Sequence, residues 1–156
     1  MGSRIAAGAI AGLIAAVPFG LMMQMMSAPT PDGGQMPMMA MVAMVVGSGS
    51  IAIGWLYHLF NSVVIGALFA WVFGSRVHSL GSGIGWGAAW GLAWWVAGAL
   101  VLMPLALGMP PFGPLMMEPM RPVAMGSLTG HVVFGLVLGG AYAAVARSRV
   151  ARPIHA

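Results

Sequence analysis

The chain has no cysteine and no lysine, and Asp32 and Glu118 are the only carboxylates among its 156 residues. Without cysteine there is neither a disulfide frame nor a thiolate metal site. Without lysine there is no phosphate-cradling Gly-Lys loop, so the abundant glycine must serve helix packing instead. Both carboxylates fall in breaker-rich connections. That leaves no buried acid for a Ser-His-Asp arrangement, a paired-carboxylate hydrolase or an intramembrane proton relay, and a non-enzymatic protein is expected. Charge of either sign is scarce: with 5% charged and 60% hydrophobic residues and a mean hydropathy of +0.96, the polar surface cannot cover a water-soluble domain.

What the chain does have is long apolar runs. A span needs roughly 20 mostly apolar residues to cross a hydrocarbon core of about 30 Å. Four stretches qualify, at about 5–26, 51–73, 84–105 and 123–145. They are too long and too evenly apolar for barrel strands, and backbone polar groups in lipid must be satisfied internally. The expected fold is therefore all-α, an integral membrane four-helix bundle that uses residues 1–156 as a single transmembrane domain. Arg4 ahead of an apolar run also suits a signal peptide, but this run matches an internal segment without a gap, so it is expected to be retained.

That match is the second feature. Gly2-Ser3, Ile5, Gly8, Gly12-Leu13, Val17 and Leu21 recur as Gly81-Ser82, Ile84, Gly87, Gly91-Leu92, Val96 and Leu100, at a constant offset of 79. A second pair, running from His58 through Gly66 to Ala70 and from His131 through Gly139 to Ala143, repeats at an offset of 73. The chain thus reads as two tandem helical hairpins, repeat 1 at about 2–73 and repeat 2 at about 81–146. Two helices per unit restore the starting side, so the hairpins run parallel. Small residues recur every fourth position, at Gly8, Gly12, Ala16 and Gly20 and at Gly83, Gly87 and Gly91. Such stripes let helix backbones approach closely. The other two helices build a histidine into the stripe, His58 before Ser62 and Gly66, and His131 before Gly135 and Gly139.

At Arg4-Ile-Ala-Ala-Gly-Ala-Ile-Ala-Gly-Leu13, Gly54-Trp-Leu-Tyr-His58, Met103-Pro-Leu-Ala106 and Gly130-His131 with Gly135, Gly139 and Tyr142, the chain resembles a family of small bacterial and archaeal integral membrane proteins grouped under a domain of unknown function. The resemblance covers most of the chain. It implies four helices and brings no activity with it.

Arginine sets the expected topology. Arg4, Arg76, Arg147, Arg149 and Arg152 lie at the termini or between the second and third spans, and Arg121 alone lies on the other side. By the positive-inside rule both termini are cytoplasmic in a multi-pass plasma (inner) membrane protein, with the connections around 27–50 and 106–124 outside. The +4 charge suits anionic lipid headgroups, and no basic-aromatic interleaving points to nucleic acid. The apolar segment Met38–Val46 is too short to span and is expected at the interface or as a re-entrant turn.

Three sets of residues have chemical potential. His58 and His131, at matching places in the repeat, are placed to ligate a b-type haem with Arg121 on a propionate, or simply to hydrogen-bond across helices. Met38, Met39, Met41, Met116, Met117 and Met120 form thioether-rich connections that suit Cu(I), or fill irregular apolar gaps. Trp86, Trp90, Trp94 and Trp95 make the third helix bulky toward lipid or a partner subunit. The expectation is a homo-oligomer or an accessory subunit of a membrane assembly, with a bis-histidine haem carrier and an outward copper-binding or copper-delivery protein as alternatives. The cysteine-free background makes the topology testable: in intact cells a membrane-impermeant thiol reagent labels Gly33→Cys and leaves Ser148→Cys unlabelled. The opposite pattern would invert the chain.

Overall fold

In the computed structural model, which describes residues 2–30 and 32–150 and side chains as far as Ala146, the apolar runs become long helices. Arg152 and His155, and the side chains of Arg147 and Arg149, lie outside the described residues. The order is α1 (Gly2–Gln24), β1 (Ser27–Pro29), β2 (Gln35–Pro37), α2 (Met38–Met44), α3 (Ile51–Phe73), α4 (Leu80–Trp94), a π-helical stretch (Trp95–Leu102), α5 (Met103–Ala106), α6 (Gly113–Met116), a 3-10 turn (Glu118–Met120) and α7 (Arg121–Val150). Four helical segments are long and apolar enough to cross a membrane: Gly2–Gln24, Ile51–Phe73, Leu80–Ala106 and Glu118–Ala146.

Local chemistry explains the ends. Ser79 starts α4 with a capping box, its Oγ accepting from the Ser82 N–H at 3.1 Å while Ser82 Oγ accepts from the Ser79 N–H at 2.9 Å. Pro122 sits in the first turn of α7, where an N–H would have no helical partner. Gly33, at φ 84°, turns the β1–β2 ribbon, and the exposed Asp32 beside it has its carboxyl held below the usual range by a hydrogen bond from Thr30. This small ribbon has no apolar alternation to announce it. The segment after it, α2, buries all six side chains from Met38 to Ala43 and packs on α3.

The helices touch through the small-residue stripes. A Cβ on Gly8 would strike the Gly66 carbonyl and Ala70 Cβ, and one on Gly12 the Ser62 carbonyl, so α1 and α3 meet backbone to backbone. On α4 and α7, Gly83 faces the Gly139 carbonyl and Ala143, Gly87 faces the Gly135 carbonyl, and Gly91 faces the His131 carbonyl. The contacts recur, but not in the register of the sequence match. Gly83, not Gly87, takes the place that Gly8 occupies, an offset of 75 instead of 79. The ladders explain the slip: glycines every fourth residue present the same surface after one turn, so alignment by identity and alignment by packing can differ by that turn.

Helix α1 also packs along α7, whereas α3 and α4 touch only sparsely. The bundle is thus a bent row, α3–α1–α7–α4, with its two end helices facing each other across a gap. Near the Arg76 end an aromatic cluster closes the gap: Trp86 stacks on Phe73 at 4.7 Å, and Trp90 Nε1 donates to the Ile65 carbonyl at 3.2 Å. Toward the other end α4 widens into the π-helical stretch and the gap stays open.

The seams predict opposite signs for one chemical change. Gly12→Ala and Gly87→Ala push a methyl into a facing carbonyl and should each lower stability by about 1–3 kcal/mol, the scale of overpacking. Gly85→Ala, with nothing within 4 Å, should leave the melting temperature in detergent unchanged or raise it through helix propensity. Equal melting temperatures for all three would remove the seams as the assembly contacts.

Candidate functional site

His58 on α3 and His131 on α7 come together around one ring, Phe19 of α1. Phe19 meets His58 edge-on at 5.4 Å between centroids and His131 at 4.7 Å. Its seat depends on Gly130, where a Cβ would collide with the Phe19 ring. Each imidazole is anchored to a backbone carbonyl: His58 Nε2 pairs with the Ala16 carbonyl at 3.0 Å, and His131 Nδ1 with the Ser127 carbonyl at 2.8 Å. A carbonyl only accepts, so these nitrogens carry the ring hydrogens in the neutral imidazoles. His58 Nδ1 and His131 Nε2 are left as lone-pair acceptors, with no partner among the described residues. Ser62 Oγ donates to the His58 carbonyl at 2.8 Å, and Ser127 Oγ lies 3.3 Å from His131 Nδ1.

The histidines sit on the wall of a cavity of about 370 Å³ that fills the gap between α3 and the π-helical stretch. Tyr57, Asn61 and Ile65 of α3 face Gly98, Ala99 and Leu100, while Met38, Met41 and Val42 of α2 and Met109 and Pro114 of the second connection lie over it. Val64 and Leu102 line it too and are 39% and 56% exposed, so the cavity opens sideways between these helices. No aspartate, glutamate or arginine lines the wall. An electrically neutral, mostly apolar wall with a few hydrogen-bonding groups is the usual make-up of a small-molecule site, and the volume falls within the ordinary range.

Of the six methionines singled out from sequence, Met38, Met41 and Met120 line this cavity. Met39 is fully buried with its carbonyl against Gly54, and Met116 and Met117 point outward, 72% and 46% exposed. Met23, Met103 and Met109 join the lining instead. They share the Met-rich halves of the chain, but their convergence depends on where α2 and the second connection fold back. Arg121 is exposed, and its Nε donates to the Leu115 carbonyl at 3.1 Å. Phe19, set against both imidazoles, is another wall residue that sequence reasoning missed; the small Gly130 beside His131, which makes room for its ring, is the one signal of it in the sequence.

If the histidines act through their carbonyl bonds, His58→Ala should cost on the order of 1 kcal/mol, the scale of side-chain hydrogen bonds between membrane helices, and His131→Ala less, because its bond stays within α7. A visible absorption band in the purified protein, lost in either variant, would instead establish haem ligation. Searches with protein-family models, among curated proteins and among solved structures found no match to this chain.

Proposed function

We propose that this chain is a non-enzymatic, multi-pass membrane protein that takes a small, largely apolar molecule from the bilayer into the cavity between α3 and α4. The observation that carries this reading is the cavity's position: its side opening lies at Val64 and Leu102, on surface that is apolar and exposed. In a bilayer that surface meets acyl chains, so a lipid-soluble molecule reaches the opening without crossing water. The proposal includes the topology drawn from arginine, with both termini cytoplasmic in the plasma (inner) membrane, and the origin of the bundle in two parallel hairpin repeats. The recurrence of the glycine-to-carbonyl contacts in both hairpins supports the latter.

Action as a homo-oligomer or as an accessory subunit fits the same reading. Leu56, Phe60 and Trp71 on the outer face of α3 are 65%, 63% and 62% exposed, suited to lipid or to a neighbouring membrane subunit. A binding subunit of that kind would present or withdraw its ligand within the plane of the membrane.

Filling the cavity tests the reading. Gly98 has room for a side chain, since a methyl at this position would meet nothing closer than the Trp94 ring at 3.6 Å, so Gly98→Leu should fold with unchanged or higher stability. In lipid nanodiscs the wild type should bind fluoronaphthalene at one saturable site, read by fluorine NMR, and Gly98→Leu should weaken that binding at least tenfold, about 1.4 kcal/mol. Unsaturable partitioning that is identical in both proteins would remove the cavity as a binding site.

A further inference from the structure

Resting on that cavity reading, we infer that the ligand carries a hydroxyl group, as a lipophilic alcohol or phenol does, and that this group is recognised by the bare imidazole nitrogens and the Asn61 amide. The polar groups of the wall are not equivalent. His58 Nδ1 and His131 Nε2 are acceptors only, because the other nitrogen of each ring is committed to the Ala16 or Ser127 carbonyl. Those backbone bonds also hold the rings in place, so the acceptor lone pairs are pre-oriented.

Asn61, one turn beyond His58 on α3 and on the same wall, makes no hydrogen bond among the described residues. Its amide supplies two N–H donors and a carbonyl acceptor. An apolar surface that keeps acceptors and an amide without partners loses free energy unless a ligand pairs with them. A hydroxyl is the smallest group that serves both kinds: its O–H donates to an imidazole nitrogen while its oxygen accepts from the Asn61 amide. An ether or a ketone offers only the acceptor and leaves the imidazole nitrogens unpaired. A carboxylate or an ammonium meets no counter-charge, since no aspartate, glutamate or arginine lines the wall.

The same surroundings include thioethers at Met38, Met41 and Met120, and a histidine bound to a backbone carbonyl through one nitrogen is also a common preparation for metal ligation. A soft monovalent cation is therefore the competing occupant. The size of the cavity favours the organic molecule, because a single ion bound at bond length needs none of the remaining space.

A matched pair of probes separates the outcomes. In nanodiscs, 4-fluoro-1-naphthol should bind about tenfold more tightly than its methyl ether, the scale of one net hydrogen bond. That preference should collapse in the His58→Phe/His131→Phe double variant, since the single hydroxyl hydrogen then has neither imidazole to pair with, while the affinity for the ether is kept. Asn61→Leu removes a side chain that makes no bond within the protein, so it should fold normally even where a histidine variant does not, and it should weaken both probes alike, because the oxygen of either accepts from the amide; unchanged affinity for both would overturn the role given to Asn61. Equal affinity for the two probes in the wild type would overturn the hydroxyl inference and leave the cavity reading standing. Binding of neither probe, together with stoichiometric silver(I) uptake lost in His58→Phe, would overturn both readings in favour of a soft-cation site.

Discussion

Contact between helix backbones, a carbonyl of one against a glycine of the next, is the constraint on which the rest of this structure depends. In lipid, apolar side chains gain little by leaving one apolar environment for another, so close packing has to hold helices together. Here it does so at Gly8, Gly12 and Gly66 on one seam and at Gly83, Gly87, Gly91, Gly135 and Gly139 on the other. Two seams joined by the α1–α7 contact make a row of four helices, and a bent row leaves its ends to be closed by something other than glycine. Trp86, Trp90 and Phe73 close one half with large rings. The other half is the cavity.

The histidines belong to the same construction. His58 reaches the Ala16 carbonyl because the α1–α3 seam brings those backbones together one turn away, at Gly12 and Ser62. On α7 the approach of Gly91 uses the His131 carbonyl itself, and that imidazole turns back to its own helix, to the Ser127 carbonyl. The two rings therefore reach similar positions by different bonds. Phe19 fills the space between them on the side of α1, so the two histidines and Asn61 become features of the cavity wall instead of a closed polar network.

Much of this was legible in the residues and some was not. Long apolar runs are a length argument, and the expected 51–73 and the helix Ile51–Phe73 coincide because breakers bound that run on both sides. The four-residue ladders mark where helices touch, since their spacing is the helical repeat. The same regularity hides the register: Gly8 matches Gly87 by identity and Gly83 by contact, and nothing within a uniform ladder distinguishes them. The π-helical stretch, the inward folding of α2 and the seat of Phe19 are tertiary outcomes, set by what the gap between α3 and α4 must accommodate. Hence the methionines could be assigned to one half of the molecule, but not to the cavity wall: Met116 is a surface residue, while Met103, not singled out beforehand, lines the cavity.

On the proposed function, a lipid-soluble molecule occupies the space beside His58 and His131. That occupancy is tested most directly by photolabelling the protein in nanodiscs with an apolar aromatic diazirine and mapping the adducts by mass spectrometry. Occupation of the cavity should give adducts on the inner wall, at Ala99, Val123 and Phe134, that disappear when unlabelled naphthol is added in excess. Adducts confined to the outer face, at Leu56, Phe60 and Trp71, and indifferent to the competitor, would contradict it.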